Sequence, residues 1–169
     1  MSDFAERLRK LADAKNDQAA AEESAVAFQD RVNKFIVLHA RAEYERLRGE
    51  LETKVLEVNP KLGDLPKYEF MQGNAMVQQG NCIASLYFDM PYTNLPNNQL
   101  LVGFGVHPNA MYFDEQDRPQ PIRYKLQAAA DDAFAGIVWV GDLGEITTAR
   151  LVEFVLENLT VYYLENKPK

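Results

Sequence analysis

Between Asp3 and Val58 the chain has no proline and one glycine, Gly49. That stretch is dominated by Ala, Glu, Arg, Leu and Lys, all strong helix formers. A third of the 169 residues is therefore committed to helix before any apolar pattern is considered. Within it Ala21, Ala25, Phe28, Val32, Phe35, His39 and Ala42 recur at spacings of four and three. A second stripe of Val37, Tyr44, Leu47, Leu51 and Val58 follows in shifted phase. The shift predicts a contact face that turns partway along the helix. If residues 25–58 form one helix, its length is roughly 50 Å at ~1.5 Å per residue, more than the diameter of a small domain. Part of it must then project or lie against a partner.

Whether the arm is one helix or two rests on residues 16–24, NDQAAAEES, where alanines replace large anchors and Asn16, Asp17 and Ser24 are capping residue types. A break is expected there. The helix is expected to stop at Asn59 and Pro60, because proline disfavours helical geometry in the residue before it. These features predict a helical arm over residues 1–58 and one compact domain over 66–169.

Past Pro66 the apolar period changes to two. Cys82, Ala84, Leu86, Phe88 and Met90 share one face of a strand, as do Leu100, Val102, Phe104 and Val106. Ile122, Tyr124 and Leu126 alternate with Arg123, Lys125 and Gln127. Further strands are expected at KYEFM, NAMVQQ, AMYFD and GIVWV, joined by turns at 79–81 and 114–119. Short connections imply an antiparallel meander of about five strands. The last element, TARLVEFVLENLTVYYLEN, has a narrow polar stripe of Arg150, Glu153, Glu157 and Thr160 and is apolar nearly everywhere else. So wide an apolar surface needs two neighbours: the sheet beneath and the N-terminal arm, in cis or in trans, on its flank. The fold class is α+β.

The net charge of −7 disfavours a nucleic-acid partner, whose phosphates call for basic surface. Residues 1–58 carry 12 acids and 10 bases, leaving 13 and 8 for the rest, so the arm is nearly balanced. A balanced arm lacks the one-sign basic face of a helix that binds anionic membranes. Cys82, the sole cysteine, allows no intrachain disulfide, which suits a reducing compartment. The charged N-terminus has no apolar leader pattern, and runs such as LLVGFGV are far shorter than a membrane span. A cytoplasmic location without membrane attachment is expected.

His39 and His107 are the only histidines. His39 continues the apolar stripe of the arm, with Glu43 as its sole companion at four-residue spacing, so neither a metal nor another cofactor is expected. His107 closes the odd-numbered face of its strand after Gly103 and Gly105. Two glycines on one strand face weaken the strand and admit a close approach by a helix, a backbone or a ligand. Ser85, Gly103, Gly105 and His107, with Tyr92 and Asn94 from the loop at 91–99, form the candidate ligand face. GFG at 103–105 lacks the third glycine and the strand-to-helix setting of a dinucleotide site. GDLGEITT, residues 141–148, resembles an anion-binding helix start, but Asp142 and Glu145 oppose an anion, and capping by Thr147 explains it. The acidic clusters Asp131–Asp132 and Asp114, Glu115 and Asp117 belong to turn-rich contexts and read as solvated.

No nucleophile, base and orienting group can be assembled from these residues. The expected function is a non-enzymatic protein-protein interaction or assembly module, in an adaptor or chaperone-like role. It would self-associate through Phe28, Val32, Phe35, Val37, Tyr44 and Leu51 as a homo-oligomer. The alternative is a small-molecule binder or enzyme using the glycine-lined sheet face near His107.

Overall fold

The computed structural model describes residues 2–71, 75–89, 98–106 and 121–168. The order is helix α1 (Ser2–Val58), a short 3-10 turn (Asn59–Lys61), strands β1 (Tyr68–Met71), β2 (Met76–Gln79), β3 (Cys82–Phe88), β4 (Gln99–Val106), β5 (Ile122–Ala130), β6 (Ile137–Gly141) and β7 (Gly144–Ile146), then helix α2 (Thr148–Asn166). The architecture is α+β, as the change of period predicts. The N-terminal helical stretch is one helix, Ser2–Val58, and residues 16–24 do not break it. Alanine is the best helix former, and Gln18 bonds Glu22 one turn on at 3.2 Å, so the capping residues there remain helical.

The chain divides into two compact units, Met1–Phe35 and Ile36–Lys169. The first lies wholly within α1. The second holds the rest of α1 and everything after it, so the division falls inside the helix and not at the Asn59-Pro60 turn.

In the second unit the seven strands pair in sequence order, every pair antiparallel. Seven strands exceed the expected five or so, partly because GDLGEI folds back as a hairpin before the helix begins. Gly144 takes a φ of +70° at its turn, a conformation that favours glycine. The Asp142 carboxylate accepts from the Lys125 amide at 2.7 Å and the Asp142 amide donates to the Lys125 carbonyl at 3.0 Å, tying that turn to β5. AMYFD lies outside the described residues.

Register places Val77, Ala84, Leu86, Val102, Phe104, Leu126, Ala128 and Trp139 on one sheet face, and all are buried. Two helical segments cover that face. From α1, Ala40, Tyr44, Leu47, Leu51 and Val55 are buried at spacings of four, three, four and four. From α2, Leu151, Val152, Val155, Leu156, Leu159 and Tyr162 are buried, and Phe154 packs edge-on to Phe104 and Tyr124. The two segments run in the same direction. Thr148 at the start of α2 donates to Glu43, while Val58 shares a groove with Leu156 and Val161. As expected, α2 has the sheet beneath it and a segment of the N-terminal helix on its flank, here from the same chain.

The Thr148 hydroxyl also accepts from the buried Trp139 indole at 3.1 Å, satisfying a donor that would otherwise be stranded in the core. Thr147 caps α2 by accepting from the Arg150 amide at 3.3 Å. At the far end of α1, the Asn59 side chain takes both the amide and the carbonyl of Tyr68, at 2.8 and 2.9 Å, aligning β1 immediately after the helix stops.

Candidate functional site

Three surfaces are candidates for a functional site, the first being the N-terminal unit. Every described side chain from Phe4 to Arg31 is exposed, and Val32 and Phe35 are half-buried. Phe4, Leu11 and Phe28 are 68%, 65% and 48% exposed. The three-and-four spacing that runs through Ala21, Ala25, Phe28, Val32 and Phe35 extends back through Gln18, Ala14, Leu11, Arg7 and Phe4. Two apolar positions per seven residues is the spacing found in coiled-coil seams and is narrower than the stripe of a helix lying on a globular core. Arg7 and Gln18 interrupt the seam, which is why its first half is not legible from apolar residues alone.

The expected interface residues separate along the helix. Phe28, Val32 and Phe35 lie on this seam. Val37, in the second unit, is 67% exposed. Tyr44 and Leu51 are buried in the chain's own core. Tyr44 stacks on Phe88 at 5.1 Å and donates its hydroxyl to the Leu86 carbonyl at 2.9 Å. Burial raises its phenol pKa, so it stays a neutral donor. An apolar period shows which helix face is buried but not what buries it, and here the chain's own sheet unit covers these two. His39 is exposed.

The second surface is the sheet face away from the helices. Ser85 pairs across the ladder with Gly103, Ile83 with Gly105 and Cys82 with Val106. Ser85 is 3% exposed, and its hydroxyl has no hydrogen-bond partner among the described residues. Among the described residues, a Cβ at Gly103 would meet the Ile122 carbonyl oxygen alone, at 3.9 Å, an ordinary contact. Gly103 therefore leaves usable space beside a buried hydroxyl. His107, Tyr92 and Asn94 lie outside the described residues, so the structure brings together only Ser85, Gly103 and Gly105 of the expected ligand face. Both glycines sit inside β4, away from any strand-to-helix turn.

The third surface is a groove of about 570 Å³ between α1 and α2, lined by Val58, Leu62, Tyr68, Leu156, Thr160 and Val161 with Lys54, Glu153 and Glu157 at its edge. Sequence reading missed it, since it arises only from the side-by-side placement of the helices. Its polar atoms are engaged. The Tyr68 hydroxyl lies 3.0 Å from the Leu156 carbonyl and 2.5 Å from the Thr160 hydroxyl, which donates to Gln79 at 2.9 Å. Gln79 in turn donates to the Pro66 carbonyl at 3.0 Å. Burial raises the Tyr68 pKa, and a neutral phenol in a satisfied network fixes β1 against α2 without offering a reactive group.

No protein-family model, characterised protein or solved structure matches this chain. The surfaces must be judged on their own chemistry. Among the described residues no cluster of three or more His, Cys, Asp or Glu side chains is placed to hold a metal ion, and no helix is long and apolar enough to cross a membrane. Cys82 has no exposed surface, and burial pushes its thiol up to about 11, so it is a poor nucleophile.

Placement of Tyr44 and Leu51 in the core has a direct test by denaturant unfolding and sedimentation. Tyr44→Phe is expected to lower stability by about 0.5–1.5 kcal/mol through the lost hydrogen bond. Leu51→Ala is expected to cost about 2–5 kcal/mol through the cavity it leaves. Neither should change the oligomeric mass; a change in mass with unaltered stability would put these residues at an interface.

Proposed function

We propose that this protein is a non-enzymatic assembly module that associates through the N-terminal part of α1, most simply with a second copy. The observation that carries the reading is the exposure of Phe4, Leu11 and Phe28 along one seam of a helix whose described residues from Phe4 to Arg31 include no buried side chain. In proteins a helix gains most of its stability from packing an amphipathic face and not from propensity alone. Burying one large apolar side chain contributes about 1.5–3 kcal/mol, so a few seam residues from each copy suffice to offset the cost of association. Local ion pairs such as Lys10–Glu6 at 3.3 Å add only about 0.3–0.5 kcal/mol each and do not remove the apolar surface from water.

The test is the mass of the intact chain by sedimentation or native mass spectrometry, alone and with Phe28→Asp. The wild type is expected as a multimer of its 19.2 kDa chain. The variant is expected as a monomer with an unchanged unfolding transition for the sheet unit. A wild-type monomer, or a variant that keeps the multimer, contradicts the reading.

The orphaned Ser85 hydroxyl beside Gly103 favours one second reading, a small ligand with a hydrogen-bonding group held against the outer sheet face. Gly103→Ala has room for its methyl group, so the fold should be preserved, with stability unchanged or raised by up to about 1 kcal/mol. Under this reading the variant loses the thermal stabilisation that a ligand from a metabolite panel gives the wild type. If no compound in the panel raises the melting temperature of the wild type, the reading fails.

A further inference from the structure

Resting on the assembly reading, we infer that the arm's partner is a second copy of this chain lying antiparallel to it, with Phe4 against Phe35 of the second copy, Leu11 against its Phe28 and Arg7 against its Val32. The charges beside the seam and the polar residues within it choose this orientation. In a parallel, in-register pair the flanking contacts join each residue to the one five places on in its partner. Lys10 then meets Lys15 and Asp17 meets Glu22, each twice by symmetry, and no opposite-charge contact offsets them. The seam itself would set Arg7 on Arg7 and Gln18 on Gln18.

Reversing one helix removes all of these pairings. Lys15 now faces Glu22 of the second copy, twice. The remaining like-charge contact is Lys10 with Arg31, and the Arg31 guanidinium lies over the ring of its own Phe28, 5.8 Å from the centroid. Arg7 lays its aliphatic stem along Val32 with its charged head at the solvent-facing edge of the seam. The large side chains gather at the two ends of the overlap. Ala14 meets Ala25 near the middle, where small side chains let the backbones approach.

The test uses the full-length chain. Its native thiol, Cys82, is buried and remains silent in cross-linking. Ala14→Cys and Ala25→Cys are oxidised separately and as a mixture. A disulfide-linked dimer formed only in the mixture is expected, whereas self-linking of each variant alone indicates the parallel pair and overturns the inference. A charge reversal reads the same question by sign. In the antiparallel pair Lys15→Glu should weaken the dimer about three- to tenfold, and adding Glu22→Lys should restore it. In a parallel pair Lys15→Glu would create an attraction with Lys10 and tighten the dimer. A wild type that sediments as a monomer sinks the assembly reading itself, while a dimer that forms neither disulfide overturns only the orientation and register.

Discussion

The stacking of Tyr44 on Phe88, with the Tyr44 hydroxyl on the Leu86 carbonyl, governs how the second unit is assembled. It anchors α1 to strand β3, at the end of the sheet where Trp139 meets Phe88 edge-on. Leu47, Leu51 and Val55 follow on the same helix face and reach the core in turn. With that segment seated, α2 has a neighbour on its flank as well as a sheet beneath, which its nearly all-round apolar surface requires. The Glu43–Thr148–Trp139 hydrogen-bond chain then fixes the start of α2 against α1.

The same constraint accounts for what α1 has left to offer. Its buried residues begin at Ala40, within the second unit. A sheet of seven short strands can cover only a few helical turns, while the helix continues for many more residues. The earlier part carries a narrower apolar stripe with mixed charges beside it, a pattern consistent with the proposed pairing. One helix therefore presents two chemistries in sequence, and the phase shift between Phe35 and Tyr44 marks the change.

Much of this was legible in the residues themselves. Strict alternation at Cys82–Phe88 and Leu100–Val106 gave the two central strands and their common core face, and Thr147 gave the α2 cap. Other features depend on contacts that no local pattern encodes. Tyr44 and Leu51 look like interface residues because helical periodicity is the same whether the covering surface belongs to the chain or to a partner. The capping residues at 16–24 suggested a break, but cap preference is overridden where alanines and an i,i+4 pair favour continuation. The short strand Gly144–Ile146 has too few residues to show alternation, and the seam before Ala21 is masked by Arg7 and Gln18. On the outer sheet face, sequence drew attention to the glycines of β4, but the register is what sets Ser85 opposite Gly103.

The most direct test of the central claim, that the exposed seam of α1 is covered in solution by another helix, is amide hydrogen exchange across residues 4–35 at a series of protein concentrations. A paired arm predicts slow exchange at high concentration that becomes fast on dilution, with protection of β3 and β4 unchanged throughout. Fast exchange of the arm at every concentration would contradict the account, because a helix that never pairs has no tertiary packing to hold its hydrogen bonds closed.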